Sequence, residues 1–452
     1  MRIQFLGGTG TVTGSKYLLA SEHASILLDC GLFQGYKQLR LRNWAPLPFD
    51  PAQLDAVVLT HAHLDHSGYL PLLVKEGFRG RILCTEATAD LCRILLPDSG
   101  HLQEEDAAFA NRHGYSQHSP ALPLYTEEDA RACLRQFAPV PFDTHVPVAP
   151  GLGAKFSRAG HILGAAIVAI DDGSRRITFS GDLGRSDDPV MVAPAPLEAS
   201  DYVVVESTYG DRLHERSDPL LELGAVIRDT AARGGVVVIP AFAVGRAQNL
   251  LYAMHQLKQS GAIPAYLPVF LDSPMARDAT AIYRKHRQDH RLSGEQCEAM
   301  CHAATIINTV EESKELDRRQ SPKVIISASG MATGGRVLHH IKAFADDHRN
   351  TILFAGYQAG GTRGAALVGG ADTVRIHGQP VRIRAQVACV DNLSAHADSD
   401  DIMAWLGALG KAPRRTFVTH GEPAASEALR SRIKHELKWD CLVPEHLQEL
   451  RL

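Results

Sequence analysis

The chain has 452 residues, with 47 Lys and Arg against 51 Asp and Glu, a formal net charge of −4 and 45% hydrophobic residues. A single hydrophobic core rarely grows beyond about 250–300 residues, so we expect two or three domains. This composition excludes a disordered, collagen-like or disulfide-scaffold protein. The near-neutral charge argues against a protein that coats nucleic acid through bulk charge, although it allows a local basic surface.

The cysteines and the N-terminus indicate where the protein works. The eight cysteines include no Cys-x-x-Cys pair, so neither a disulfide framework nor a zinc ribbon is predicted. No apolar run approaches the roughly 20 residues of a membrane span, and Met1–Leu6 is typical of a strand rather than of a signal peptide. We therefore expect a cytoplasmic protein without a membrane partner.

Short strand-like runs recur along the chain, and each ends at a polar residue. Such side chains at the carboxyl ends of strands are typical of enzymes with α/β or α+β folds. The runs and the residues that follow them are Ile26–Leu28 with Asp29, Val57–Thr60 with His61, Ile177–Ser180 with Asp182, Tyr202–Val205 with Glu206, and Thr416–Thr419 with His420.

Between about residues 210 and 385 the pattern changes to alternating strands and helices. Strands are predicted at 236–239, 269–271, 324–327 and 352–355, with a helix at 245–258. This alternation predicts a parallel-sheet βαβ domain. Because polar strand ends resume only near 390–420, the segment is interpreted as an insertion. The predicted division is 1–208 for the first part of one domain, 209–385 for the insertion, and 386–452 for the returning part that completes the site.

The strongest motif is His61-Ala-His63-Leu-Asp65-His66, directly after a predicted strand. Neutral imidazoles and a carboxylate are ligands that Zn²⁺ takes, and a turn that leaves a strand can direct alternate side chains toward two centres. Three further candidates stand at other strand ends, His161, Asp182 and His420. Each is weak alone, but their order after the cluster supports a hydrolytic metal site.

This order of residues, from Asp29 through the cluster to His161, Asp182 and a distant His, resembles the metallo-β-lactamase superfamily. Two motifs that flank the insertion, Glu206-Ser-Thr-Tyr-Gly-Asp211 and Ser394-Ala-His396-Ala-Asp398, resemble the β-CASP nucleases within it. The resemblance implies an α/β fold, an αββα sandwich with an inserted parallel-sheet β-CASP domain, and two zinc ions per chain, with Mn²⁺ as an alternative metal.

The resemblance also implies a role for each site residue. One zinc would be held by His61, His63 and His161, the other by Asp65, His66 and His420, with Asp182 bridging. A metal-bridging hydroxide would be the nucleophile, and Asp65 would orient it. His396, paired with Glu206, would be the general acid that protonates the leaving 3′-oxygen. Asp29 is predicted to accept a hydrogen bond from the ring N–H of a ligand histidine that faces away from the metal. The alternative is that Asp29 is only a turn residue at the end of a strand.

Two features favour RNA as the substrate. A His at the position of His420 is typical of the RNA-directed relatives, whereas an aliphatic residue marks the DNA-repair branch. The Gly-rich stretch Ser329–Arg336 resembles the RNA-processing members, namely the polyadenylation cleavage factor nuclease subunit, its prokaryotic counterparts and, more distantly, ribonuclease J. Predicted phosphate contacts are Ser329, Gly330, Gly334, Gly335 and Arg336, with Arg246 and Arg363 equally interpretable as structural salt bridges.

The sequence thus predicts a two-zinc phosphodiesterase that hydrolyses single-stranded RNA, in endonucleolytic or 5′-exonucleolytic mode, with a homodimer left open. Three alternatives remain. They are a DNA nuclease of the same family, a small-molecule (thio)ester hydrolase on the same scaffold, and a catalytically silent RNA-binding subunit. The last predicts missing ligands, and every ligand position here carries a competent side chain.

Overall fold

The computed structural model describes residues 1–114, 118–215 and 217–452. They form two compact units, which we call the sandwich unit (Met1–Leu213 with His396–Leu452) and the inserted unit (His214–Ala395). The inserted unit extends past residue 385, the end predicted from the sequence, because the strand Gln386–Val390 pairs in parallel with Thr351–Ala355 of the same unit.

Each unit contains both strands and helices. The first part of the sandwich unit contains β1 (Arg2–Phe5), β2 (Tyr17–Ala20), β3 (Ser25–Leu28), α1 (Lys37–Leu41), β4 (Ala56–Val58), α2 (Leu64–Ser67), α3 (Leu70–Lys75), β5 (Arg81–Thr85), α4 (Glu86–His113), α5 (Glu127–Cys133), β6 (Phe137–Val140), β7 (His145–Ala149), β8 (Leu152–Arg158), β9 (Ala166–Asp171), β10 (Arg176–Phe179) and β11 (Tyr202–Val205). The inserted unit contains α6 (Pro219–Ala232), β12 (Val236–Pro240), α7 (Arg246–Gln259), β13 (Val269–Asp272), α8 (Pro274–Lys285), α9 (Gly294–Cys301), β14 (Thr305–Ile306), α10 (Val310–Arg318), β15 (Lys323–Ser327), α11 (Val337–Phe344), β16 (Thr351–Ala355), α12 (Arg363–Val368), β17 (Thr373–Ile376), β18 (Gln379–Arg382) and β19 (Gln386–Val390). The sandwich unit then resumes with α13 (Ser399–Gly407), β20 (Arg415–Val418), α14 (Pro423–Arg432), β21 (Cys441–Leu442) and β22 (Glu449–Arg451).

The sandwich unit has two seven-stranded sheets. Their strand orders are β22-β1-β2-β3-β4-β5-β6 and β21-β20-β11-β10-β9-β8-β7. Alternating burial along β1, where Ile3 and Phe5 are buried and Arg2 is exposed, matches a strand with one face in the core. The inward side chains of both sheets form one hydrophobic core that includes Phe156 and Phe179. Helix α4 packs on β5 and β6 of the first sheet, and α14 packs on β20 of the second.

Strand direction explains why the polar strand ends meet. Strands β3 and β4 are parallel neighbours, and so are β10, β11 and β20 in the other sheet. Parallel neighbours end at the same edge of a sheet, so the residues that follow these strands are brought together there. The five residues are Asp29, His61, Asp182, Glu206 and His420.

The inserted unit is built on a six-stranded, wholly parallel sheet with the order β14-β13-β15-β12-β16-β19, beside the hairpin β17-β18. Its strands β12, β15 and β16 are buried along their whole length, as expected for a parallel sheet covered by helices. Among the described residues, no helix has the length and apolar character needed to cross a bilayer. All eight cysteines are free thiols.

Candidate metal centre

The motif at 61–66 lies where a strand passes into a short helix. Strand β4 ends at Val58, and α2 begins at Leu64 after a loop that bends at Thr60 and at His63. The strand is shorter than predicted because the main-chain N–H of Thr60 donates to Asp29 Oδ1 at 2.7 Å rather than to a neighbouring strand. The motif is closely enclosed: a Cβ at Gly31 would lie 1.6 Å from the Asp65 carbonyl oxygen, so only glycine fits there.

One group of donors consists of the side chains of His61, His63, His161 and Asp182. His63 Nδ1 lies 3.2 Å from the Nε2 atoms of both His61 and His161. Asp182 Oδ2 lies 3.5 Å from the same two Nε2 atoms. Four donor atoms, from the loops that follow β4, β8 and β10, thus lie close together.

The second group consists of Asp65, His66 and His420. The Nε2 atoms of His66 and His420 are 3.1 Å apart, and Asp65 Oδ2 lies 3.5 Å from His420 Nε2. Asp182 reaches this group through its other oxygen, since Oδ1 lies 3.2 Å from His66 Nε2. Asp182 therefore faces both groups, one oxygen to each.

These distances test whether the residues fit a metal ion. Bonds of ~2.0–2.1 Å at tetrahedral angles would place ligand atoms about 3.3–3.4 Å apart, close to the observed separations. Asp182 Oδ1 is buried and accepts no hydrogen bond, although a buried carboxylate oxygen needs a compensating partner. The donor set fits a metal ion at each group, so the structure supports a metal cofactor.

Neighbouring side chains fix which histidine nitrogen faces each group. Asp29 Oδ2 lies 2.8 Å from His66 Nδ1, and it accepts a hydrogen bond from the Thr60 hydroxyl at 2.9 Å. Thr60 Oγ1 in turn lies 3.1 Å from His61 Nδ1. Because Nδ1 donates to these oxygens, the rings of His61 and His66 each direct the Nε2 lone pair toward the two groups of donor atoms.

Two threonines that were not predicted from the sequence also orient histidine rings. Thr60 supports His61, and Thr208 Oγ1 lies 3.2 Å from His420 Nδ1. Thr208 belongs to the quoted motif at 206–211, and Thr60 directly precedes His61, so their proximity in sequence to site residues was the available signal.

The backbone at two site residues is unusual. Asp29 has φ 55° and His420 has φ 48°, in the left-handed region that residues other than glycine rarely adopt. His420 is held there by a hydrogen bond from its main-chain N–H to the Gly8 carbonyl at 2.6 Å. Such strained residues are typical of functional sites, where surrounding contacts hold them in place.

His396 and Glu206 form a pair beside Asp182. His396 Nδ1 lies 3.1 and 3.2 Å from the two Glu206 oxygens, and Nε2 lies 4.0 Å from Asp182 Oδ2. Glu206 is buried and accepts a hydrogen bond from the Leu183 main-chain N–H at 2.6 Å. With Nδ1 engaged by Glu206, His396 directs Nε2 toward the metal groups.

Burial and the carboxylates set the charges of the site. Burial lowers the pKa of His61 well below its ordinary value, which keeps this imidazole neutral and able to coordinate. Burial also opposes charge on His66, but the carboxylates of Asp182 and Asp29 outweigh it and raise the His66 pKa well above the usual value. The pKa of His396 is raised because Glu206 outweighs the opposing effect of burial.

The residues predicted to grip phosphates lie in the inserted unit, between β15 and α11 and at the starts of α7 and α12. The main-chain N–H groups of Thr333 and Gly334 donate to Ser329 Oγ, so the loop satisfies two of its own donors. Arg336 pairs with the buried Asp272 at 2.7 Å. Among the remaining predicted contacts, Arg363 donates to main-chain carbonyls and Arg246 is buried. The other two are Gly330 and Gly335. Their role in RNA binding stays a prediction.

Comparison with known proteins identifies the family. Residues 9–223 match the metallo-β-lactamase superfamily, 247–367 the β-CASP domain, and 380–444 the Zn-dependent metallo-hydrolase RNA specificity domain. Ribonuclease TTHA0252 of Thermus thermophilus is 36% identical over 434 residues, covering 93% of each chain. Transcription termination factor FttA of Methanosarcina mazei is 33% identical over all of this chain and 72% of its own.

A solved structure of a protein of unknown function from Enterococcus faecalis V583 shares the fold, with a TM-score of 0.54 at 13% identity, over 100% of this chain and 99% of that one. The family resemblance and the fold class predicted from the sequence are both confirmed. By these matches the chain is an enzyme of the metallo-β-lactamase superfamily and belongs to its β-CASP family of zinc-dependent metallo-hydrolases.

Proposed function

We propose that the protein is a ribonuclease that binds two zinc ions and hydrolyses phosphodiester bonds of single-stranded RNA. The observation that carries this proposal is the sharing of Asp182 between two groups of ligands, with the His396–Glu206 pair at its side. Two metal ions so held would polarise the attacking water and neutralise the negative charge that grows on the phosphate.

The remaining steps belong to the protein's own side chains. Asp65, at the edge of the second group, would accept a hydrogen bond from the attacking water, orient it toward phosphorus, and take up the proton that the water loses as the new bond to phosphorus forms. His396 would donate its Nε2 proton to the 3′-oxygen as the bond from phosphorus to that oxygen breaks. The Glu206 carboxylate, engaged at Nδ1, fixes the ring and stabilises its protonated form until the transfer.

The choice of RNA rests on the relatives. One is named a ribonuclease and others are named transcription termination factors, and the RNA specificity match at 380–444 includes both His396 and His420. Eight free thiols favour a reducing compartment, in keeping with the proposed cytoplasmic location.

The test incubates metal-replete protein with 5′-labelled and 3′-labelled single-stranded RNA, bearing a 5′-phosphate or a 5′-hydroxyl, beside DNA of the same sequence. We expect the RNA to be cut to products with 5′-phosphate and 3′-hydroxyl ends, and metal analysis to find two zinc ions per chain. Internal fragments would indicate an endonuclease, and mononucleotides an exonuclease. Asp182→Asn should abolish cleavage, whereas Asp187→Asn, which alters an exposed carboxylate nearby, should not.

Three results would contradict the proposal. Cleavage of DNA as fast as RNA would show that the enzyme does not prefer RNA. Hydrolysis of a small thioester or lactam, with neither nucleic acid cut, would leave only the metal site. RNA binding without any hydrolysis by metal-replete protein would indicate a non-catalytic RNA-binding subunit.

A further inference from the structure

Large apolar side chains are unusually exposed in one segment of the sandwich unit. Residues 36–44 contain Tyr36, Leu41 and Trp44, which are 49%, 54% and 57% exposed. Tyr36 directly precedes α1, Leu41 is its last residue, and Trp44 ends the 3₁₀ turn Arg42–Trp44 that follows it. Among the described residues, Tyr266 of the inserted unit is the other aromatic side chain with a comparably large exposed fraction. Clustered apolar surface of this kind usually marks a binding site.

The same segment is basic. Residues 31–49 contain Lys37, Arg40 and Arg42 and no acidic residue, in a chain whose net charge is −4. Lys37 and Arg40 are exposed, while the Arg42 guanidinium lies over the Phe33 ring at 5.4 Å from its centroid. Two exposed aromatic side chains, Tyr36 and Trp44, thus stand at the two ends of a basic stretch of the chain.

Hydrogen bonds hold this segment to the metal-binding loop, by which we mean the motif at 61–66. The buried side chain of Asn43 accepts from the Phe33 N–H at 2.9 Å and donates to the Phe33 carbonyl at 2.8 Å. One residue earlier, the Leu32 N–H donates to the carbonyl of Leu64, the neighbour of Asp65, at 2.8 Å. Trp44, which follows Asn43, is therefore fixed relative to Asp65 by a short, ordered connection.

We propose that residues 36–44 form a binding surface for the single strand that enters the metal site, an inference that rests on the proposed function. Bases stack on Trp44 and Tyr36, and phosphates pair with Lys37 and Arg40. Stacking on aromatic side chains beside basic groups is the usual way to hold a single strand without sequence preference. The polyanionic substrate matches the charge of the segment, whereas a protein partner would need a complementary acidic surface.

Tryptophan fluorescence reports on this surface directly. The chain has three tryptophans, and Trp405 and Trp439 are each only 8% exposed. A base stacked on Trp44 therefore quenches mainly the emission of Trp44. A 2′-O-methyl oligouridylate, which resists hydrolysis, serves as the probe, and anisotropy of a labelled copy gives the dissociation constant for every variant.

We expect saturable quenching in the wild type that is lost in Trp44→Phe, while this conservative variant keeps most of the affinity. Trp44→Ala and Tyr36→Ala should each weaken binding about tenfold, the usual order of loss of one stacked base. Arg40→Ala should lower the slope of log Kd against log salt by about 0.7, as one phosphate contact is lost. Tyr266→Ala, which removes an exposed ring elsewhere, is the matched control and should bind like the wild type.

The proposal is wrong if Trp44→Ala and Tyr36→Ala bind the oligonucleotide as tightly as Tyr266→Ala does. It is also wrong if light scattering shows self-association that Trp44→Ala abolishes, because the segment would then cover a second copy of the chain. If the wild type cleaves RNA but Trp44→Ala binds the oligonucleotide normally, this binding surface is wrong and the proposed ribonuclease activity still stands. If the oligonucleotide quenches Trp44 but no RNA is cleaved, the proposed ribonuclease activity is wrong and the binding surface still stands.

Discussion

A buried lysine beside the metal-binding loop should make stability depend on pH. Lys16 is buried, donates through Nζ to the Gly31 carbonyl at 2.5 Å, and lies over the rings of Tyr69 and Phe33, at 4.4 and 4.8 Å from their centroids. No carboxylate of the described residues forms an ion pair with it. Burial lowers the pKa of Lys16 from 10.5 to about 8.

The magnitude follows from this shift. One pKa unit corresponds to about 1.36 kcal/mol, so a fall from 10.5 to about 8 amounts to roughly 3 kcal/mol. Because the folded-state pKa is the lower one, the folded protein releases this proton near pH 8, and the unfolded chain keeps it up to about 10.5. Stability from this group is therefore absent below pH 8 and is gained as the pH rises from about 8 to 10.5.

The perturbation is Lys16→Met, which keeps a long unbranched side chain and removes the charge. Urea unfolding is followed by tryptophan fluorescence, which reports on the sandwich unit alone because Trp44, Trp405 and Trp439 all lie in it. Between pH 7 and 10.5 the wild type should gain about 3 kcal/mol relative to Lys16→Met. Lys411→Met, at an exposed site of the same unit, should show no such change. If the difference in stability between the wild type and Lys16→Met does not change with pH, then the buried Lys16 is not the source of the pH dependence.

Three further predictions concern the metal and the inserted unit. Asp29→Asn removes the carboxylate behind His66 and should lower metal affinity about 10- to 100-fold, measured by competition with a chromogenic chelator. Removing the metal with EDTA should abolish RNA cleavage and lower the melting temperature of the sandwich unit, and zinc should restore both. His340 lies between Asp272 and Asp317, at 2.8 and 2.7 Å. His340→Ala should destabilise the inserted unit by roughly 2–3 kcal/mol, measured by hydrogen exchange of α11, because the buried Asp272 loses one charge-assisted hydrogen bond while it keeps its pair with Arg336.

Matched variants separate these effects from general damage. Asp50→Asn, at an exposed carboxylate, should leave metal affinity unchanged, and an equal loss in both variants would contradict the role of Asp29. His339→Ala alters the exposed neighbour of His340 on the same helix, so equal exchange in the two variants would contradict the importance of the buried network. Full RNA cleavage after complete removal of metal would contradict the metal dependence.

Several of the candidate ligands could be expected to lie together because they follow parallel strands, whose carboxyl ends share an edge of their sheet. The cluster at 61–66 is local, so its spacing alone indicates a metal site. His66 and His420, by contrast, are 354 residues apart, and only the family resemblance predicts that they meet. The threonines that orient the rings and the left-handed backbone of Asp29 and His420 depend on tertiary contacts that no local pattern encodes.

The inserted unit shows where the sequence was least informative. The Gly-rich neighbours of Arg336 predict a phosphate contact, and only the fold shows that its guanidinium also pairs with Asp272, 64 residues away. The end of the unit moves to Ala395 because β19 joins its parallel sheet, a pairing that depends on β16 rather than on the composition of β19 itself. The partner of Arg336 and the end of the inserted unit thus depend on long-range contacts, which neither motifs nor periodicity predict.

The role of His396 as the general acid can be tested with RNA in which sulfur replaces the leaving 3′-oxygen at one bond. Sulfur leaves without protonation, so the substrate bypasses the acid. His396→Ala, with its zinc content verified, should cleave ordinary RNA roughly 10²–10⁴-fold more slowly than the wild type and cleave the sulfur-containing bond at nearly the wild-type rate. An equal loss of rate on both substrates would show that His396 does not protonate the leaving group and has a structural role.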